Sequence, residues 1–296
     1  MNLSGLHHVS AIASSREDCL DFYGGLLGLS PIAQEASGTL AFAADPERAA
    51  AVLNFTVTPG IARGVPGRGL VHRLQWSVPG PRALQHWRRR LEAAGVAVTA
   101  WLNGAGDALA LRFADPDGLE HELTLPSAFV LCSSYGEQRT NAEAETAICA
   151  LTGVRAYATG SVQSGDLLAG RLGFETCGVA AWRIGAGPEA VRYETDAPPP
   201  SRPVEGAGTV RHLAWSCRPG QERAWRQRVI GMGATVSRVI ECDGYRCFFF
   251  REPDGVLFAV ATRRCEPLPA QLAFQPPRAA EIPARISRPI GILAAV

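Results

Sequence analysis

The sequence has no lysine; every residue in its Lys+Arg count of 29 is arginine. Schiff-base chemistry at a lysine amine is therefore excluded. It also lacks an excess of charge of either sign, with 29 basic against 28 acidic residues and a net charge of +1. A chain that binds nucleic acid shows a basic stripe and a high isoelectric point instead. The eight cysteines contain no C-x-x-C pair. Scattered thiols of this kind are expected as packing residues in a reducing compartment, not as a disulfide frame or a zinc knuckle. No apolar run reaches the length of a membrane-spanning helix. Met1 to Ser10 lacks a basic region followed by an apolar stretch, so the expected location is cytoplasmic.

What the sequence does contain is an internal repeat. Gly67 to Gly80 read GRGLVHRLQWSVPG and Gly206 to Gly220 read GAGTVRHLAWSCRPG. Each is followed by an Arg-rich amphipathic stretch and then by two β-rich runs joined at Pro-Asp-Gly, LRFADPDGLEHELTL and FFFREPDGVLFAVAT. A Pro-Asp-Gly between alternating apolar runs is a hairpin signal, because Pro presets the turn and Gly accepts positive φ. A second pair is LDFYGGLLGL (Leu20 to Leu29) and GDLLAGRLGF (Gly165 to Phe174), each after an extended run, LHHVSAIAS or VRAYATGSV. The order is A-B, A′-B′, and each unit reads as strand, helix, then several strands.

The expected fold class is α+β, with four βαβββ modules in two domains forming open half-barrels. Module one runs from about Leu3 to Pro59 and module two from about Gly67 to Pro126. Module three covers about Thr152 to Asp196, and module four ends near Thr262. The expected domains are 1–126 and 152–262, with a connector at 127–151 and a tail at 263–296 packing on the body.

The opening GLHHVSAIAS, the LDFYGGLLGL helix, the RHLAWSC strand and the FREPDGVLFAVAT hairpin resemble the glyoxalase/bleomycin-resistance/extradiol-dioxygenase (vicinal-oxygen-chelate) superfamily. Within it they are similar to ring-cleaving dioxygenases of hydroquinone-type substrates, as is the LAFQPP stretch of the tail. The resemblance implies one metal, usually Fe(II), held by two His and one Glu. Carried over, the metal ligands are His8 and His212, and the Glu position falls on Ala259. The resemblance also implies a proton-transfer role for His7 and a pocket that includes Ser10, Arg211 and Tyr245. Arg211 stands where the subgroup has a second His, and Gly244 where it has a Tyr.

Two His and one carboxylate leave open positions for a diol and O₂; alanine offers no lone pair. Fe(II) or another divalent metal is accordingly expected to bind weakly or not at all. The expected function is a dioxygenase-like protein that has diverged from aromatic ring cleavage and binds an aromatic small molecule. The alternative is an active non-haem Fe(II) extradiol-type dioxygenase with a substitute third ligand, such as Glu241 or water. A third reading is metal-free catalysis with His8 or His212 as base. No nucleic acid or membrane partner is expected, and a homodimer is left open.

By strand alternation His7 and His8 face opposite sides. In module two, Glu122 reads as a strand-end acid, and His72 is one residue off the ligand register with Arg73 in it. Ala156 is the module-three position where a histidine could sit. Trp76 and Trp215 read as core, and His86, His121 and Arg88 to Arg90 as solvated.

Overall fold

The computed structural model describes residues 1–34, 39–45, 51–102, 108–125, 145–187, 190–242 and 245–262. Most of the expected connector, the tail from residue 263, and Gly244 lie outside the described residues. The elements repeat as the sequence does. Module one is β1 (Leu6–Ala13), a helix, β2 (Ser30–Gln34), β3 (Thr39–Ala43) and β4 (Val52–Val57). Module two is β5 (Val71–Ser77), a helix (Pro81–Ala93), β6 (Thr99–Leu102), β7 (Ala108–Ala114) and β8 (Glu120–Thr124). Module three is β9 (Ala150–Tyr157), a helix, β10 (Glu175–Gly178), β11 (Ala181–Ile184) and β12 (Val191–Asp196). Module four is β13 (Val210–Cys217), a helix (Glu222–Ile230), β14 (Ile240–Cys242), β15 (Tyr245–Arg251) and β16 (Leu257–Thr262).

The helices of modules one and three share an unusual form. Each begins as one α-turn, Arg16–Cys19 or Val162–Gly165, and continues as a π-helical stretch, Leu20–Leu26 or Asp166–Leu172. Ser15 and Ser161 cap them by accepting from the backbone N–H three residues on, which satisfies an otherwise orphaned donor. The module-two helix is a regular amphipathic one with Pro81 in its first turn. Ala83, Leu84, Trp87 and Leu91 are its buried face, at the spacing one stripe of a helix requires. Arg88, Arg89 and Arg90 lie on its exposed side, as does His86. Among the described residues no helix is long and apolar enough to cross a membrane.

The modules pair crosswise into two eight-stranded sheets. Modules one and four form the order β14-β15-β16-β13-β1-β4-β3-β2, and modules three and two form β10-β11-β12-β9-β5-β8-β7-β6. In each sheet the first strands of the two modules meet antiparallel at the centre, β1 on β13 and β9 on β5.

The G-x-G motifs join the two sheets. Gly69 and Gly208 both have positive φ, 82° and 78°, where a Cβ is disfavoured. Each backs onto the Pro-Asp-Gly turn of the opposite sheet. A Cβ on Gly208 would overlap the carbonyl oxygen of Asp117, and one on Gly69 would press on Gly255 at 3.2 Å. Asp117 accepts from the backbone N–H and hydroxyl of Ser14, and Asp254 from the hydroxyl of Thr159 and the N–H of Ser161.

The outer faces of both sheets and the helices enclose the main core, in which Trp76, Trp215, Trp225, Tyr23 and Tyr193 are almost fully buried. One polar relay runs through it. Trp76 donates its indole N–H to His121 Nδ1 at 3.0 Å. Tyr23 donates to Asp115 at 2.7 Å and lies 3.0 Å from His121 Nε2. His121 is therefore not solvated, as its sequence context suggests, but has no exposed surface. Its strand alternation points it outward from the sheet, and the module-one helix packed there brings Tyr23 over it. Burial holds its pKa down at about 3 and pushes Asp115 up to about 6.

Candidate functional site

The inner face of the module-one/module-four sheet is built from cross-strand neighbours. In one row, Val52, His8, Ala214, Ala259 and Phe249 lie side by side on β4, β1, β13, β16 and β15. In the next row, Ala41, Asn54, Ser10 and His212 do the same on β3, β4, β1 and β13. Side chains opposite each other on neighbouring strands share a face. Ala41, Ala214 and Ala259 share this face with Val52, Tyr245 and Phe249, and the Phe249 ring lies edge-on 5.0 Å from that of His212, so the two histidines stand in apolar surroundings.

His8 and His212 are 204 positions apart in sequence, yet their Nε2 atoms are 2.9 Å apart. Two nitrogen ligands at about 2.1 Å from one metal and at right angles to each other lie about 3 Å apart. The spacing thus suits adjacent positions on one ion. It equally suits one ring donating its N–H to the other. Burial is the main reason that His212 is held down at about 3, with the Arg211 charge adding to it, so its imidazole is neutral. Neutral imidazole is the form that ligates a metal.

His7 does not face away from His8. The β1–β13 register shifts between Leu6 and His8, and a bulge of this kind re-aims a side chain. His7 Nδ1 consequently lies 2.8 Å from His8 Nδ1. With His8 as donor in that bond, its Nε2 lone pair faces His212, the usual way an outer hydrogen bond fixes a ligating tautomer. Tyr245 is buried, with its ring 4.9 Å from that of His7 and 5.9 Å from that of His8. Ser10 is buried on the His8 face. Arg211 falls at a second register shift, between Ser10 and Ala11, and is half-buried within electrostatic reach of Glu205 and His212.

The position that the resemblance implies for a third ligand supplies no donor. Ala259 is fully buried between Ala214 and Phe249. Glu241 does not replace it: its side chain is 78% exposed and paired with Arg246. Among the described residues no group of three His, Cys, Asp or Glu is placed to hold a metal. The residues present fit two of three ligands of a 2-His-1-carboxylate centre and do not complete it.

The other sheet holds the converse set. Its central register aligns Gln75 with Gly153 and Glu122, and Arg73 with Arg155 and Glu120. Gly153 thus occupies the place of His8, Arg73 that of His212 and Glu122 that of Ala259. The histidine-equivalent position in module three is Gly153 and not Ala156, because β9 pairs with β5 across register shifts that spacing alone does not reveal. Gly153 makes room for the Gln75 side chain, which a Cβ there would overlap. Glu122 is more than a strand-end acid. It accepts from Gln75 at 3.1 Å and pairs with Arg73 and Arg112. Arg155 pairs with Glu194 and Asp196 beside it. His72 stacks on Tyr157 at 3.9 Å and contacts Asp196 at 2.8 Å.

Sequence reasoning passed over Asn54. Its signal was an amide in a strand reading VLNFTV, where alternation from the β1 register puts it beside Ser10.

Paired βαβββ modules with a histidine pair at the centre of one sheet are the arrangement implied by the vicinal-oxygen-chelate resemblance. Residues 5–123 match the model of the Glyoxalase/Bleomycin resistance protein/Dioxygenase superfamily. It is 28% identical over 279 residues to MhqO of Bacillus subtilis (strain 168), named as a candidate ring-cleaving dioxygenase, covering 87% of this chain and 84% of that protein. It is 27% identical over 289 residues to MhqA of the same organism, similarly named, with 88% of each covered. The crystal structure of a candidate dioxygenase from Bacillus subtilis subsp. subtilis str. 168 superposes with a TM-score of 0.73 at 25% identity, covering 93% of this chain and 92% of that one. Glyoxalase I from Zea mays shares the fold, with a TM-score of 0.63 at 12% identity over 87% of this chain and 92% of that one.

Proposed function

We propose that this chain binds an aromatic small molecule in the module-one/module-four half-barrel and has diverged from Fe(II)-dependent ring cleavage. The observation that carries the reading is Ala259. It stands in register beside the His8–His212 pair, where an anionic oxygen would neutralise part of a dication's charge. Two neutral imidazoles are a weak site for Fe(II), whose usual facial set includes a carboxylate. Apolar walls around a few convergent polar groups are the ordinary makeup of a small-molecule site. The names of MhqO and MhqA, ring-cleaving dioxygenases, favour an aromatic ligand.

A second reading, an Fe(II) dioxygenase with a different third ligand, is favoured by the 2.9 Å spacing of the imidazoles. One experiment separates the two. Iron content and hydroquinone- or catechol-dependent O₂ uptake are measured for the unmodified protein and for Ala259→Glu, both reconstituted anaerobically. The proposal expects little iron and little O₂ uptake in the unmodified protein. It expects metal affinity to rise by ~10- to 100-fold or more in the variant, the scale on which even outer-shell partners act. Stoichiometric iron and rapid diol-dependent uptake in the unmodified protein would establish the second reading instead.

A further inference from the structure

We propose that Asn54 is a specificity-determining residue that reads a neutral hydroxyl on the ring of the bound aromatic molecule, at the side of the site away from Tyr245; this rests on the aromatic-binding reading above. Asn54 has no exposed surface, and neither its Nδ2 nor its Oδ1 has a hydrogen-bond partner. An asparagine amide can donate twice and accept twice. Leaving buried polar atoms unmet is costly enough that native folds rarely do so without a use for them. His212 Nδ1, one strand beyond Ser10 in the same row, is buried and unmet as well.

The surroundings select the chemistry. Asn54 has Ala41 and Ser10 as cross-strand neighbours and Val52 and Thr56 on either side along its own strand face. None of these carries charge, so a carboxylate would be buried there without a cation, which is heavily disfavoured. A quinone or ether oxygen would accept from Nδ2 but leave Oδ1 unmet. A phenolic hydroxyl does both: its O–H donates to Oδ1, and its oxygen accepts from Nδ2. A ring with hydroxyls at opposite positions presents one to Asn54 and the other to the histidine pair.

The probes are hydroquinone, 4-methoxyphenol and 1,4-dimethoxybenzene, with binding followed anaerobically by tryptophan fluorescence and calorimetry. 4-Methoxyphenol keeps one hydroxyl for the histidines and loses the donor at Asn54. The unmodified protein is expected to prefer hydroquinone to 4-methoxyphenol by about tenfold, the value of one net hydrogen bond. Asn54→Leu should abolish that preference without weakening 4-methoxyphenol, and should melt no lower than the parent. Should Asn54→Leu not fold, Asn54→Ser against Asn54→Ala makes the same comparison, with Ser keeping part of the preference. If the probes bind and the preference survives in Asn54→Leu, the Asn54 assignment is wrong while aromatic binding stands. If none of the three binds the unmodified protein, the aromatic reading falls and this inference with it.

Discussion

The two half-barrels solve one geometric problem in opposite ways. Each has a concave sheet face to fill. In the module-two/module-three sheet, Arg73, Arg112, Arg155, Glu120, Glu122 and Glu194 fill it with a lattice of ion pairs. In the module-one/module-four sheet, Ala41, Ala214, Ala259 and Ala261 fill it together with Tyr245 and Phe249 around two histidines. The two sets are complementary. One sheet has a carboxylate without imidazoles at these positions, and the other has imidazoles without a carboxylate. Long charged side chains that satisfy each other leave nothing for a ligand to bind, whereas small side chains around unmet polar atoms do. On the proposed reading, binding belongs to the module-one/module-four sheet and structural reinforcement to the other.

The largest expected effect tests that reinforcement. Glu122→Ala removes the buried carboxylate shared by Arg73, Arg112 and Gln75, leaving Arg73 with Glu120 alone, and should cost about 3 kcal/mol, the upper end for hydrogen bonds to a charged group. Chemical denaturation measures it, and a loss below about 1 kcal/mol would show that the lattice is decoration. The next tests the contact between the sheets. Gly208→Ala meets both a positive φ and the Asp117 carbonyl, and conformation alone costs about 1–3 kcal/mol. Gly69→Ala, with a looser neighbour at 3.2 Å, should cost less. Equal costs for the pair would mean that the turns are not gripped unequally.

Tyr23→Phe comes third. It removes the O–H that Asp115 accepts and the contact to His121, and should cost about 1–3 kcal/mol. The module-three helix needs no counterpart, since Phe258 stands where His121 does and the Trp215 N–H has no partner. The smallest net effect is on pH dependence. Between pH 6.5 and about 3 the unfolded chain protonates His121 while the folded chain does not, so stability is lost as pH falls. Asp115 acts in the opposite sense: between pH 3.8 and about 6 the folded chain holds a proton that the unfolded chain lacks, so stability is gained as pH falls. Their sum is expected on the order of 1 kcal/mol, because the shifts oppose each other. His121→Phe should remove only the acid-labile part. Melting curves at pH 4, 5, 6 and 7 that run parallel for the variant and the parent would rule His121 out as a source of acid sensitivity.

Much of this was legible in the residues themselves. The repeated G-x-G and Pro-Asp-Gly segments announced four modules, because turn chemistry and strand alternation are local. His8, His212 and Ala259 were legible through resemblance, since the strand carrying each has a strong pattern. His7, Ala156 and His121 were misread for one physical reason: a register shift or a neighbour from another module puts a side chain where local alternation would not. Asn54 was invisible because a polar residue in a strand signals nothing until its burial is known.

The sequence by itself determined the modular fold, the absence of lysine chemistry and an alanine at position 259, all properties of local pattern or residue identity. Only the tertiary structure decided that module one pairs with module four and module two with module three. With that pairing came which concave face is zipped by ions and which is left with unmet hydrogen-bonding atoms. Those outcomes depend on hydrogen bonds between strands some two hundred residues apart, β1 on β13, and no local propensity specifies such a pairing.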